Sequence, residues 1–170
     1  MTKTMLAFAT AIAISTMSST AHAANFWNVN ATSCVPDSAS IQGNLYIGTG
    51  GTVKFAPGKT GNIVLYCPVS FKLHFKPDVI GITYYDDTSS PGNHVSVQLI
   101  KMEIGTGAIT SIVTAHSKGR PVSTQGKAGS SAQEFKDTYN PNDFAYYLRI
   151  DLVRNSPTAN EIVYCASLLD

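Results

Sequence analysis

Charge is the first thing this chain lacks. Only 14% of its residues are charged, and 12 Lys and Arg against 11 Asp and Glu leave a formal net charge of +1. So nearly neutral a chain has no electrostatic footprint for nucleic acid or for an anionic bilayer. Long apolar runs are missing too. The longest, Met5–Ile14, falls well short of the roughly 20 residues that a membrane-spanning helix requires. Nowhere do apolar residues recur at helical spacing. The chain has no Gly-x-Ser-x-Gly elbow, no His-Glu-x-x-His and no His-x-His. His74, His94 and His116 fall on three separate segments without short-range ligand spacing. No catalytic residue is therefore assigned.

What the first residues do show is an order. Lys3 precedes the apolar stretch, small polar residues follow from Ser15 to Thr20, and Ala21-His22-Ala23 supplies a small-x-small site. That order predicts a secretory signal peptide over residues 1–23, with 24–170 as one domain. Lys3 leaves with the peptide, so the remaining chain has equal numbers of basic and acidic residues. The expected location is outside the cytoplasm, in a periplasm or the medium, where thiols are oxidised. Three cysteines, Cys34, Cys67 and Cys165, remain, and an odd number allows at most one internal bridge. Of the three pairings, Cys34–Cys67 is favoured, because Pro36 and Pro68 mark segment edges beside both. Cys165 lies in an apolar segment and reads as a small buried hydrophobe.

Strand signals fill the rest of the chain. In Phe144–Arg154, Phe144, Tyr146, Leu148, Ile150 and Leu152 alternate with Ala145, Tyr147, Arg149, Asp151 and Val153. One apolar and one largely polar face describe a half-buried strand of an antiparallel sheet. Val69–Lys76 alternates in the same way. Gly105-Thr106-Gly107 joins Val95–Ile104 to Ile109–His116 as a hairpin. Gly58-Lys59-Thr60 is not a phosphate loop, since Val53 stands where the leading glycine belongs and a strand follows; it predicts a hairpin turn. Ser117–Gln133 has no period and reads as a long loop. About nine or ten short strands with Gly, Pro and Asn turns predict an all-β antiparallel sandwich, jelly-roll-like, with an immunoglobulin-like sandwich as the alternative. Trp27 precedes both Cys67 and Cys165, which does not suit the immunoglobulin order.

Four motifs in order, Ser33-Cys34, Tyr66-Cys67-Pro68-Val69, Ile82-Thr83-Tyr84-Tyr85-Asp86 and Ala145-Tyr146-Tyr147-Leu148-Arg149-Ile150, resemble a group of uncharacterised secreted bacterial proteins. The resemblance implies an exported β-sandwich with a Cys34–Cys67 bridge; the group has no assigned activity, so it implies nothing about mechanism.

Candidate sites follow from side-chain chemistry. In each doublet, Tyr84-Tyr85 and Tyr146-Tyr147, one ring must leave the core face, which sets Tyr85 and Tyr147 toward solvent. Exposed rings stack on sugars or anchor a surface protein. Asp86 and Asp87 open a polar loop beside them. Asp137, Asn140, Asn142 and Asp143 gather oxygen ligands of the kind calcium takes, although turn chemistry alone also selects these residues. No other cofactor is expected. Three functions remain in view: a non-catalytic binder of carbohydrate or protein, a small hydrolase with a site in a sandwich-end cleft, and a self-assembling subunit joined through Cys165 or an unpaired edge strand.

Overall fold

The computed structural model describes residues 26–41, 44–48, 50–70, 76–88, 90, 92–118, 120 and 129–170. The expected signal segment, His74 and most of the expected strand at 69–76 lie outside the described residues. Among the described residues eleven strands are formed: β1 (Phe26–Asn30), β2 (Val35–Pro36), β3 (Leu45–Gly48), β4 (Thr52–Phe55), β5 (Gly61–Pro68), β6 (Val79–Asp86), β7 (His94–Glu103), β8 (Ile109–His116), β9 (Gly129–Glu134), β10 (Phe144–Arg154) and β11 (Glu161–Leu169).

The last eight strands pair as a nest. β7 pairs with β8, β6 with β9, β5 with β10 and β4 with β11, all antiparallel. A long hairpin rolled over on itself gives this pattern, and successive pairs fall in opposite sheets. One sheet runs β3-β4-β11-β6-β9, with β1 also on β11; the other runs β2-β5-β10-β7-β8. This is the two-sheet jelly roll that the strand spacing predicts.

The period of two sets the core. Tyr146, Leu148, Ile150 and Leu152 of β10 all point inward and are buried. They meet Ile63, Leu65 and Cys67 of β5, and Val95, Val97 and Leu99 of β7, in one cluster with Ile80, Ile82, Tyr84, Val163, Ala166 and Leu168 of the facing sheet. Burying each large aliphatic side chain stabilises the fold by roughly 1.5–3 kcal/mol. The expected bridge is present: Cys34 is bonded to Cys67.

Three local expectations are corrected. Gly58 and Gly61, at φ 71° and 121°, turn the chain from β4 in one sheet to β5 in the other, so the connection is a crossover and not a hairpin. β9 occupies the end of the stretch expected to be loop; it lies at a sheet edge and is built from small polar residues that give no apolar period. Ser38–Ile41 forms one helical turn, with Asp37 Oδ1 accepting the Ser40 N–H at 2.7 Å as a cap. Cys165 is half-buried, not fully buried. A bulge between Val163 and Cys165 shifts the alternation, so Val163 and Ala166 both face inward while Cys165 stands opposite Thr83 on the outer face. No helix among the described residues is long and apolar enough to cross a membrane.

Candidate functional site

Directly opposed residues of antiparallel neighbours share a face. The register of the β2-β5-β10-β7-β8 sheet therefore writes out its outward side in rows, along which Val64, Ser96, Ile100 and Asp151 are themselves buried. One row crosses all five strands: Val35, Tyr66, Arg149, Gln98 and Thr114. Beside it lie Pro68, Tyr147, Ile100 and Ser111, and on the other side Val64, Asp151, Ser96 and His116. Two tyrosines thus stand in adjacent rows on adjacent strands. Their rings meet edge to face, with centroids 5.9 Å apart. Tyr66 is 38% exposed, and Val35 at the sheet edge is 64% exposed.

Arg149 is held on this face by its own strand. Its Nε and Nη2 groups donate to Asp151 Oδ1 at 3.2 and 2.8 Å, while its side chain stays 37% exposed. The Asp151 hydrogen bond is the main cause that raises the Arg149 pKa above its usual value. Burial, and then Tyr66, raise the Tyr147 pKa, with Arg149 opposing. A neutral phenol and a fixed cation result. The arrangement offers apolar ring surface next to charge-assisted hydrogen-bond donors.

Of the sequence-predicted residues, Tyr147 belongs to this surface and Tyr85 does not. Tyr85 does point outward, yet it is only 9% exposed. It stands opposite Ile162 in a row that continues through Lys54 to Tyr46. An outward position on an interior strand is hemmed in by its row neighbours, which alternation within one strand cannot show. Tyr46 is 48% exposed, but the Lys54 ammonium sits 5.1 Å from its ring centroid and covers one face. The sequence alone does not single out Tyr66, because its outward position shows only once β5 is registered against β10.

The predicted calcium turn is knitted to itself. Asn140 donates from Nδ2 to Asp143 Oδ2 at 2.7 Å, and the Asn142 N–H donates to Asn140 Oδ1 at 3.1 Å. Asp137 is paired with Lys101 Nζ at 3.0 Å. A surface hollow of about 570 Å³ lies nearby, between Lys76–Asp78 and Phe135–Tyr139.

Asp86 and Asp87 are found with a third acid that the sequence did not single out. Glu161 opens β11 directly opposite Asp86, and the three carboxyl groups each place an oxygen within 4.8 Å of the others. Asp86 accepts from Ser117 Oγ at 2.5 Å and from the Thr88 N–H at 3.2 Å. Asp87 accepts from Asn160 through its N–H and Nδ2. Burial and then the Asp86 charge push the Glu161 pKa from its ordinary 4.5 to about 7; Arg154 opposes, and Asp87 adds to the rise. Burial is also the main cause of the raised Asp86 pKa.

The sign of the resulting pH dependence is definite. Between pH 4.5 and 7 the folded state holds the Glu161 proton more tightly than the unfolded chain does. This contribution to stability is complete below about pH 4.5 and is lost as pH rises through about 7, by on the order of 3 kcal/mol. In buffer with EDTA, the urea midpoint is expected to fall from pH 5 to pH 8, and Glu161→Gln to flatten that fall. An equal fall in the variant would locate the cause elsewhere.

No family model matches the chain, and no curated protein does. Among solved structures it is similar to CsCBM6-3 from Clostridium stercorarium in complex with cellobiose, at 10% identity over 84% of this chain and 92% of that one, with a TM-score of 0.49. It is similar also to the xylan-binding module CBM15, at 11% identity over 85% and 96%, TM-score 0.49. A third is the low-affinity xylan-binding module CBM86 from Roseburia intestinalis, at 12% identity over 88% and 97%, TM-score 0.46. At this level none of their residues has a counterpart assigned in this chain.

Proposed function

We propose that this chain is an exported, non-catalytic carbohydrate-binding domain whose site is the outer face of the β2-β5-β10-β7-β8 sheet. Tyr66 and Tyr147 stack on sugar rings, and Arg149, held by Asp151, hydrogen-bonds their hydroxyls. The observation that carries the reading is the tyrosine pair, with centroids 5.9 Å apart on the outer side of a sheet whose other side is core. A ring in that position has no packing task toward the core. The hydrolase reading lacks such support. Asp86 and Glu161 are at most 1% exposed, so a substrate has no access to them.

Affinity electrophoresis of the domain through gels of soluble β-glucan, xylan, mannan or pectin tests the proposal. Retardation by at least one polysaccharide class is expected. Tyr147→Ala and Tyr66→Ala should each weaken it about ten-fold or more, since an aromatic contact contributes about 0.5–1.5 kcal/mol beyond the area it buries. Tyr46→Ala should leave it unchanged. No retardation by any class, or retardation that ignores both substitutions, removes the reading.

A further inference from the structure

The three-carboxylate end of the sandwich, formed where β6, β10 and β11 finish or begin, takes no part in the glycan face. Along β10, Arg154 at this end is roughly 24 Å from Tyr147 at the usual strand rise. Its side chains are placed in an unusual way. Glu161 is 1% exposed, and its side chain is wholly buried. Beyond its own backbone N–H, neither of its two carboxylate oxygens accepts a hydrogen bond from a described residue. Burying an ionised group without partners is costly, and partners are normally supplied.

Its ion-pair partner among the described residues does not supply them. Arg154 Nε lies 3.8 Å from Glu161 Oε2, beyond hydrogen-bond reach. Its Nε donates to Ser156 O at 3.1 Å and its Nη2 to Pro157 O, with its guanidinium over the Phe55 ring at 5.7 Å. Three carboxylates against one guanidinium leave two negative charges when all are ionised. Ser117 and the Asn160 amides meanwhile fix Asp86 and Asp87 in place, so the cluster cannot open to relieve repulsion at low cost. The unpartnered oxygens of Glu161 share this space with oxygens of both aspartates.

We infer that Asp86, Asp87 and Glu161 together hold a divalent cation, calcium by their chemistry. An all-oxygen, carboxylate-rich donor set with no nitrogen or sulfur is that of a hard cation. The ion satisfies Glu161, cancels the excess charge and ties the end of β6 to the start of β11. This inference is independent of the glycan reading, since the two sites share no residue.

Thermal melting in 5 mM CaCl2 against EDTA tests it. The melting temperature of the parent chain should rise by roughly 3–8 °C with calcium, for an affinity in the range of extracellular calcium modules. Glu161→Gln should abolish the rise. Asp87→Asn, at a half-buried position where folding is less at risk, should reduce it. Terbium(III) titration supplies a readout apart from stability. Tyr84 and Tyr85 precede the site in the chain and sensitise the ion, so green emission is expected from the parent and not from Glu161→Gln. Equal melting in calcium and EDTA overturns the inference. So does a calcium effect that survives Glu161→Gln but disappears in Asp143→Asn, which would move the ion to the turn at Asp137–Asp143.

Discussion

Replacing Cys34 and Cys67 together by alanine is expected to lower stability by roughly 3–4 kcal/mol. The bridge spans 33 residues of sequence, and cross-linking a loop of that length removes about that much chain entropy from the unfolded state. The melting temperature should fall by about 10 °C. The same change should also reach the proposed glycan face. β2 has two residues and, among the described residues, pairs only with β5, Val35 opposite Tyr66 and Pro36 opposite Leu65. Proline has no N–H to give to that pairing, so the covalent link to Cys67 carries much of the strand's attachment. Without it Val35 loses its fixed place beside Tyr66. Polysaccharide affinity should therefore drop, though less than in Tyr147→Ala. Thermal melts of the parent, the parent with dithiothreitol and the double variant measure the first effect. A double variant melting within about 2 °C of the parent would show that pairing alone holds the edge.

The sandwich was legible because it is written in side-chain parity. Leu148, Ile150 and Leu152 alternate without interruption, and their strand lies at the centre of its sheet. Features that depend on relations between strands were not legible. Tyr66 and Tyr147 become a pair only when Arg149 is set opposite Tyr66, a fact of register. Tyr85 obeys the parity rule and is still covered. Glu161 opens a strand after a turn, where an acid is ordinarily solvated. Its burial follows from pairing with Asp86, which is distant in sequence. Cys165 was misplaced for a more local reason, since one extra residue in a bulge inverts everything after it. β9 shows the limit on the other side: an edge strand of Gly, Ser and Ala carries no periodic mark, and only its partner β6 defines it.

Leu148→Ala separates the two layers of this picture, and its effect on stability should be the largest of any single substitution discussed. Leu148 is fully buried, standing between Cys67 on β5 and Leu99 on β7, with both of those side chains also in the core. Truncation leaves a cavity that neighbouring strands, hydrogen-bonded on both sides, cannot collapse to fill. A loss of about 3–5 kcal/mol is expected, read as a lower urea midpoint at unchanged slope. The adjacent residue behaves in the opposite sense. Tyr147 points outward, so Tyr147→Ala should cost far less stability while removing most of the polysaccharide affinity. Leu148→Ala, assayed well below its lowered melting temperature, should keep an affinity within about two-fold of the parent, because the outer rings remain registered by the backbone. Consecutive residues on one strand would then fail in different assays. That result follows only if the sheet has a core side and a binding side. A Leu148→Ala protein as stable as its parent, or a Tyr147→Ala protein as destabilised as Leu148→Ala, would mean that the two faces of β10 are not divided in this way.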